Sequence, residues 1–442
     1  MQIKLPENVK KIIEKLESAG FEAYAVGGCV RDSLLGRTPN DWDITTSAKP
    51  LETKALFKRT FDTGIKHGTI SVLLDKEIYE VTTYRIDGEY EDSRHPKEVS
   101  FTSVLSEDLL RRDFTINAMA YNPRRGLVDL YGGVEDLQNK IIRCVGNPYD
   151  RFSEDALRIM RAVRFASQLD YSIEENTRTA IKELAPTLKK ISAERIQAEL
   201  VKMMTGEHPE YIETAYELGI TKEFIPEFDR AMECAQNNPN HAYSVGVHTV
   251  KVLQGLPADK VLRLAGLFHD LGKVVTKTTD QKGIDHFKNH PAASAEIARE
   301  VLNRLKFDRD TETKVCNIVA YHDWAREAKP ENIRRFINRI GEDAFPMIFT
   351  FNRADYRGQG NYNLESKLEH VDKLEEAYRN VVANKECVSL KSLAVTGKDI
   401  LAAGIPAGPE VGKIMNSLLE EVLDDPSKNN REYLISRIRN EE

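Results

Sequence analysis

Near residue 150 the character of the chain changes, and that change restricts the fold more than any other feature. Residues 21–145 carry short β-rich runs (EAYAVGG, DWDITTSA, TISVLLD, EIYEVTTYR, GLVDLYGG) separated by Gly-bearing turns. Period-2 runs of this length predict strands. From about 150 the runs lengthen and take helical periodicity, as in SEDALRIMRAVRFASQL and SAERIQAELVKMM, with Ser153 and Ser192 as expected N-caps. The expectation is an α+β chain: a small sheet with helices, then an elongated all-α remainder. The Asn- and Pro-rich stretch CAQNNPNHAYSVG reads as a linker, and the charged run ESKLEHVDKLEEAYRNVVANKE leads into a last segment. The expected divisions are therefore 1–150, 151–235, 236–360 and 361–442.

Composition narrows the class. Hydrophobic residues make up 41% and charged residues 30%, enough for a sizeable core. No apolar run approaches the ~18–20 residues that span a bilayer, and the first twenty residues read as an amphipathic helix rather than a signal peptide. The five cysteines are scattered without CxxC spacing, which argues against a disulfide framework and for a reducing cytoplasm. Sixty-three basic against 70 acidic residues give a net charge of −7, so a globally basic nucleic-acid binder is excluded while a local basic groove is not.

Chemistry concentrates first after the strand-like EAYAV. Gly27-Gly28-Cys29-Val30-Arg31-Asp32 is expected to open a short helix, where Gly28 lets backbone N–H groups approach a phosphate and Arg31 adds a positive charge. Ten residues on comes Asp41-Trp42-Asp43. On a strand, both carboxylates share a face and Trp42 takes the other. Two such charges side by side need a cation, and carboxylate oxygens suit Mg²⁺. An isolated Asp-X-Asp reads as a solvated turn; GGCVRD upstream shifts the reading toward a nucleotide site with two Mg²⁺, Asp41 and Asp43 being catalytic. Glu80, in the alternating strand, is equally an ordinary polar strand residue.

GGCVRD with DWDIT resembles the nucleotidyltransferase superfamily that includes DNA polymerase beta. The segments Arg111-Arg112-Asp113-Phe114-Thr115-Ile116-Asn117-Ala118, Asp129-Leu130-Tyr131-Gly132-Gly133 and Glu154-Asp155-Ala156-Leu157-Arg158 with Arg161, Arg164 and Phe165 are similar to the bacterial class II tRNA nucleotidyltransferases. These are the CCA-adding enzymes, close to bacterial poly(A) polymerases. The similar motifs cover about residues 25–200, and Leu393–Leu401 with Gly404 and Gly408 is a weaker match. The resemblance implies a polymerase-beta-like head, a helical neck and tail that bind the tRNA 3′ end, and addition of C, C and A from CTP and ATP without a nucleic-acid template. It places a nucleotide contact at Arg112, makes Asp155 and Arg158 a protein template for the incoming base, and puts Arg161 and Arg164 near the nucleotide. Read as one helix, these four form a stripe drifting about −60° per step, on which three arginines repel one another unless an anion intervenes. The same stripe also reads as ordinary Asp–Arg surface pairing. The polar loop 86–100 matches the segment that the family uses to switch from C to A, with His95 where Arg is common. A-only addition and poly(A) synthesis are the alternatives of the same class.

A second constellation lies further on. His248, His269-Asp270 and Asp355 resemble the HD phosphohydrolase superfamily, which implies a divalent metal held by these four residues, extended to a second ion by His290 and His322. The alternative is a metal-free scaffold.

Overall fold

The computed structural model describes residues 2–87, 99–237, 243–324 and 327–439. Most of the loop 86–100, including His95, lies outside the described residues. The chain divides into two compact units, Met1–Phe224 and Ile225–Glu442.

In the first unit a seven-stranded sheet runs in the order Thr60–Gly64, Thr69–Leu74, Glu77–Thr83, Ile44–Thr46, Ala23–Val26, Met119–Asn122, Gly126–Asp129. Every neighbouring pair is antiparallel except Ile44–Thr46 with Glu77–Thr83, which run parallel with Ile44 opposite Val81. All five β-rich runs contain strands. Two strands of this sheet, Thr60–Gly64 and Met119–Asn122, were not foreseen; the second follows the short 3₁₀ turn Thr115–Asn117. Tyr24, Val26, Tyr84, Leu109 and Ala120 form a core over one face, each large side chain contributing about 1.5–3 kcal/mol on burial.

The long helix expected from Ser153 is two helices. Pro148–Glu154 starts with Asn147 accepting from the Tyr149 N–H at 3.0 Å, and Leu157–Leu169 follows a break at Asp155 (φ −144°, ψ 102°). Asp155 Oδ1 accepts from the Leu157 N–H at 3.0 Å, a local bond that competes with helix. So Asp155 precedes the helix that carries Arg158, Arg161 and Arg164, and Ser153 lies inside the first helix rather than capping one. Ser192 does stand at the N-cap of Ala193–Met204, without a side-chain cap bond.

The second unit is helical apart from one short hairpin, Thr278–Thr279 with Asp285–His286, among its described residues. Helices Val245–Gly255, Lys260–Phe268, His290–Arg304, Arg309–Tyr321 and Phe345–Gln359 pack around the side chains of His248, His269, Asp270, His290, His322 and Asp355. Beyond them Leu393, Ile400, Ile414, Leu418, Val422 and Leu434 build a small core of the tail helices. All five cysteines are unpaired, and no helix among the described residues is long and apolar enough to cross a membrane.

Candidate functional site

In the first unit the site is built at the sheet edge where Ala23–Val26 ends. Val26 N–H donates to the Asp43 carbonyl at 3.0 Å and Gly27 N–H to that of Met119 at 3.1 Å. The chain then turns at Gly27 (φ +83°) into the helix Gly28–Leu34; a Cβ on Gly27 would lie 3.0 Å from Arg112 Nη1. The conformational demand thus falls on Gly27, one residue before the expected Gly28. Asp41 and Asp43 come just ahead of the strand Ile44–Thr46 rather than on it, so the shared-face argument does not apply to them. Both are exposed.

Continuing the parallel register one residue back from Ile44–Val81 brings Asp43 beside Glu80. The Asp43 carboxyl is pushed up to about 6, first by desolvation, although the residue as a whole keeps exposed surface, then by the charge of Asp41; Arg112 opposes the rise and Glu80 adds to it. An all-oxygen donor set carrying uncompensated negative charge fits a hard divalent cation such as Mg²⁺. Glu80, which the alternation alone could not rank above its neighbours, therefore joins the site through strand pairing.

Arg112 is held against this cluster by Asp108, which is fully buried and 3.6 Å away; its buried Nε–H has no hydrogen-bond partner. Burial alone would raise the Asp108 pKa, but the charges of Arg111 and Arg112 hold it below the usual carboxylate range. Arg31 donates to Asp32 and to Asn117 Oδ1, both at 2.8 Å. Asn117 donates to Asp113 Oδ1 at 3.1 Å, and Arg161 closes on Asp113 Oδ2 through Nε and Nη2 at 2.8 and 2.6 Å. The arginine repulsion expected along the stripe is relieved inside the protein: Arg158 meets Glu154, Arg161 meets Asp113, and buried Arg164 meets Glu199 at 2.7 Å while stacking 3.6 Å over Phe165.

In the second unit six ligand-type side chains from five helices and their ends converge. His248 Nε2 lies 3.1 Å from His269 Nε2, 3.4 Å from Asp270 Oδ2 and 3.0 Å from Asp355 Oδ1. His290 Nε2 lies 3.3 Å from His322 Nε2 and 3.4 Å from Asp270 Oδ1. Two three-ligand sets thus share Asp270, His248–His269–Asp270 and Asp270–His290–His322. His269, His290 and His322 each donate Nδ1–H to the backbone carbonyl three residues earlier, at 2.8, 2.9 and 2.7 Å. That bond leaves Nε2 of a neutral ring bare and aimed inward, the arrangement of metal-ligating histidines. The bare lone pairs of His290 and His322, 3.3 Å apart, repel; a cation held ~2.0–2.1 Å from each would see them roughly 104–111° apart, which suits a coordination sphere. Asp270 and Asp355 are buried among these imidazoles, and the buried ammonium of Lys273 lies 2.7 Å from Asp270 Oδ2. Burial pushes the His290 imidazole down to about 4, keeping it neutral. The donor set fits one or two divalent transition-metal ions. Gly272 lets this turn pack: a Cβ there would lie 2.5 Å from the His290 carbonyl. A cavity of about 290 Å³ opens on Asp270, Lys273, Phe287, Lys288, His290 and Asp355.

The fold and these two sites define a nucleotidyltransferase carrying an HD domain, and three family matches agree: the poly A polymerase head domain over residues 23–143, the probable RNA and SrmB-binding site of polymerase A over 170–232, and the HD domain over 240–359. The CCA-adding enzyme of Pediococcus pentosaceus is 36% identical over 98% of this chain and 97% of its own length. That of Lactobacillus helveticus is 37% identical over 96% of both. The chain belongs to the CCA-adding enzyme family. The crystal structure of the Bacillus stearothermophilus CCA-adding enzyme in complex with CTP superposes with a TM-score of 0.72 at 29% identity, covering 99% of this chain and 98% of that one.

Proposed function

We propose that this nucleotidyltransferase completes the tRNA 3′ end, adding C, C and A from CTP and ATP without a nucleic-acid template. The observation that carries the reading is the placement of Asp41, Asp43 and Glu80 beside Gly27-Gly28 and Arg112, in the unit that also holds Asp155 and Arg158. Asp41 and Asp43 would hold Mg²⁺, with Glu80 close to Asp43. Such ions supply the charge that makes a 3′-hydroxyl nucleophilic and stabilises the departing pyrophosphate. Arg112, held by Asp108, and Arg31, held by Asn117, present guanidinium N–H groups to a triphosphate. Cytosine and adenine both show an exocyclic amino donor beside a ring-nitrogen acceptor; uracil and guanine show the reverse. Asp155 accepts from the amino group and Arg158 donates to the ring nitrogen, so the two wrong bases leave buried polar groups unpaired.

The test offers tRNA transcripts lacking three, two, one or none of the terminal nucleotides, with each nucleoside triphosphate singly and together. The expected result is C, C, then A, and no further extension. Extension of the CC-ended transcript alone assigns A-only addition, and a lengthening A tail assigns poly(A) synthesis; either overturns the reading.

The HD constellation favours a second activity on the same chain, metal-dependent hydrolysis of phosphate esters, with His248, His269, Asp270 and Asp355 holding one ion and Asp270, His290 and His322 a second. The supporting observation is the pair of ligand sets sharing buried Asp270. Lys273 and Lys288 line the cavity and would attract a phosphate. Loss of phosphatase activity in His269→Ala with nucleotide addition intact is the expected outcome; hydrolysis unchanged by that substitution would remove the site from the activity.

A further inference from the structure

A carboxylate that reads a base must present its acceptors in a fixed plane, and Asp155 does not do this alone. It occupies the break between two helices, in extended backbone, where nothing regular holds its side chain. Two donors hold it instead. The Leu157 N–H reaches Oδ1 at 3.0 Å. Arg195, two residues into the helix Ala193–Met204, grips both oxygens, Nη1 to Oδ1 at 3.2 Å and Nη2 to Oδ2 at 2.7 Å. Side-chain exposure is 19% for Asp155 and 23% for Arg195, so the pair is largely withdrawn from water.

The acceptor count follows. An ionised carboxylate offers about four lone-pair sites. Leu157 and Arg195 Nη1 occupy the two on Oδ1, and Arg195 Nη2 occupies one on Oδ2. Among the described residues one acceptor site, on Oδ2, remains without a hydrogen bond. One acceptor in a fixed plane complements the single inward amino hydrogen of cytosine or adenine. It meets the O4 carbonyl of uracil or the O6 of guanine acceptor against acceptor.

We propose that Arg195 is a positioning residue for nucleobase choice: its two-pronged grip sets the plane of Asp155 and reduces its acceptors to the one that distinguishes C and A from U and G. The inference rests on the reading of Asp155 as a base-contacting group. Without the grip the carboxylate turns about χ2 and offers spare acceptors to the ring N–H of uracil or guanine, so wrong nucleotides gain more than right ones lose. A lysine keeps the charge but not the planar fork, and cannot engage both oxygens in one plane.

The experiment measures kcat and KM for CTP, ATP, UTP and GTP on tRNA transcripts, with Arg195→Lys, Arg195→Met, Asp155→Asn and the two double variants. Both Arg195 variants are expected to narrow the CTP/UTP and ATP/GTP ratios of kcat/KM at least tenfold, chiefly through KM. Arg195→Lys should retain the wild-type melting temperature and tRNA affinity, which separates the effect from misfolding. On the Asp155→Asn background the Arg195 changes should add nothing to the loss. Wild-type ratios in Arg195→Lys, or losses that multiply with Asp155→Asn, would overturn the proposal. If Asp155→Asn collapses the ratios while both Arg195 variants hold them, Arg195 falls and the base-reading role of Asp155 stands. If Asp155→Asn itself leaves the ratios intact, both fall together.

Discussion

Removing His322 should cost this protein one metal ion and not two. Asp270 turns Oδ2 toward His248 and His269 and Oδ1 toward His290 and His322, so each histidine pair forms its own site on a shared carboxylate. An ion present at 100 times its dissociation constant stabilises the folded unit by about 2.7 kcal/mol. Loss of an outer-sphere partner alone weakens metal binding 10–100-fold. Loss of a ligand that weakens it about 100-fold leaves RT ln 2, roughly 0.4 kcal/mol, a deficit of about 2.3 kcal/mol. The unit Ile225–Glu442 holds 442 − 225 + 1 = 218 residues. At about 2–4 °C per kcal/mol for a domain of that size, its melting transition should fall by roughly 5–9 °C. The assay is elemental analysis of Mn²⁺-loaded, desalted protein together with calorimetry, comparing wild type, His322→Ala, His269→Ala and Asp270→Asn. Differences between variants cancel any ion held by the first unit. Each histidine variant should lose one equivalent and Asp270→Asn two. A His322→Ala protein that keeps every ion and the whole thermal shift refutes the second site. A wild type whose melting is indifferent to chelator refutes the centre altogether.

Asp155→Ala and Arg158→Ala should each lower kcat/KM for CTP and ATP by about 10–150-fold, the value of one charge-assisted hydrogen bond of ~1.5–3 kcal/mol, with tRNA affinity little changed in a filter-binding assay. Asp43→Asn should abolish nucleotide addition yet raise the melting temperature of the metal-free protein at pH 7.5. With its folded pKa raised to about 6, ionisation of Asp43 removes stability as pH climbs above its unfolded value, so the variant's advantage should vanish near pH 4. Equal melting of the two proteins at both pH values would contradict this. Glu199→Gln leaves the Arg164 guanidinium, 8% exposed, without its carboxylate. It should cost the first unit about 3 kcal/mol in urea unfolding, and a loss below about 1 kcal/mol would show that the Phe165 ring and Gln168 Oε1, which accepts from Arg164 Nη1 at 2.9 Å, suffice.

What the sequence made legible, and what it hid, divides along local and non-local physics. Period-2 runs announced five strands because alternation is a property of neighbours. The Gly27-Gly28 turn and the His269-Asp270 pair were visible because each sits in a short stretch of unusual residue types. Asp155 was misplaced on a helix because its neighbours favour helix; what breaks the helix is a carboxylate bonded to Leu157 and held by Arg195, forty residues away. Glu80 had no local mark either. It faces Asp43 because the strand Glu77–Thr83 pairs in parallel with Ile44–Thr46, and no parallel register can be read from one strand alone. The arginine stripe misled for the same reason: its counter-charges Asp113 and Glu199 arrive from other elements. A motif therefore reports which groups a site contains, while their orientation and acceptor count are set by residues outside it. Substitutions at such supporting residues should change specificity before they change activity, because Asp43 and Asp155 are held by different partners: strand pairing beside Glu80 for the first, Arg195 for the second.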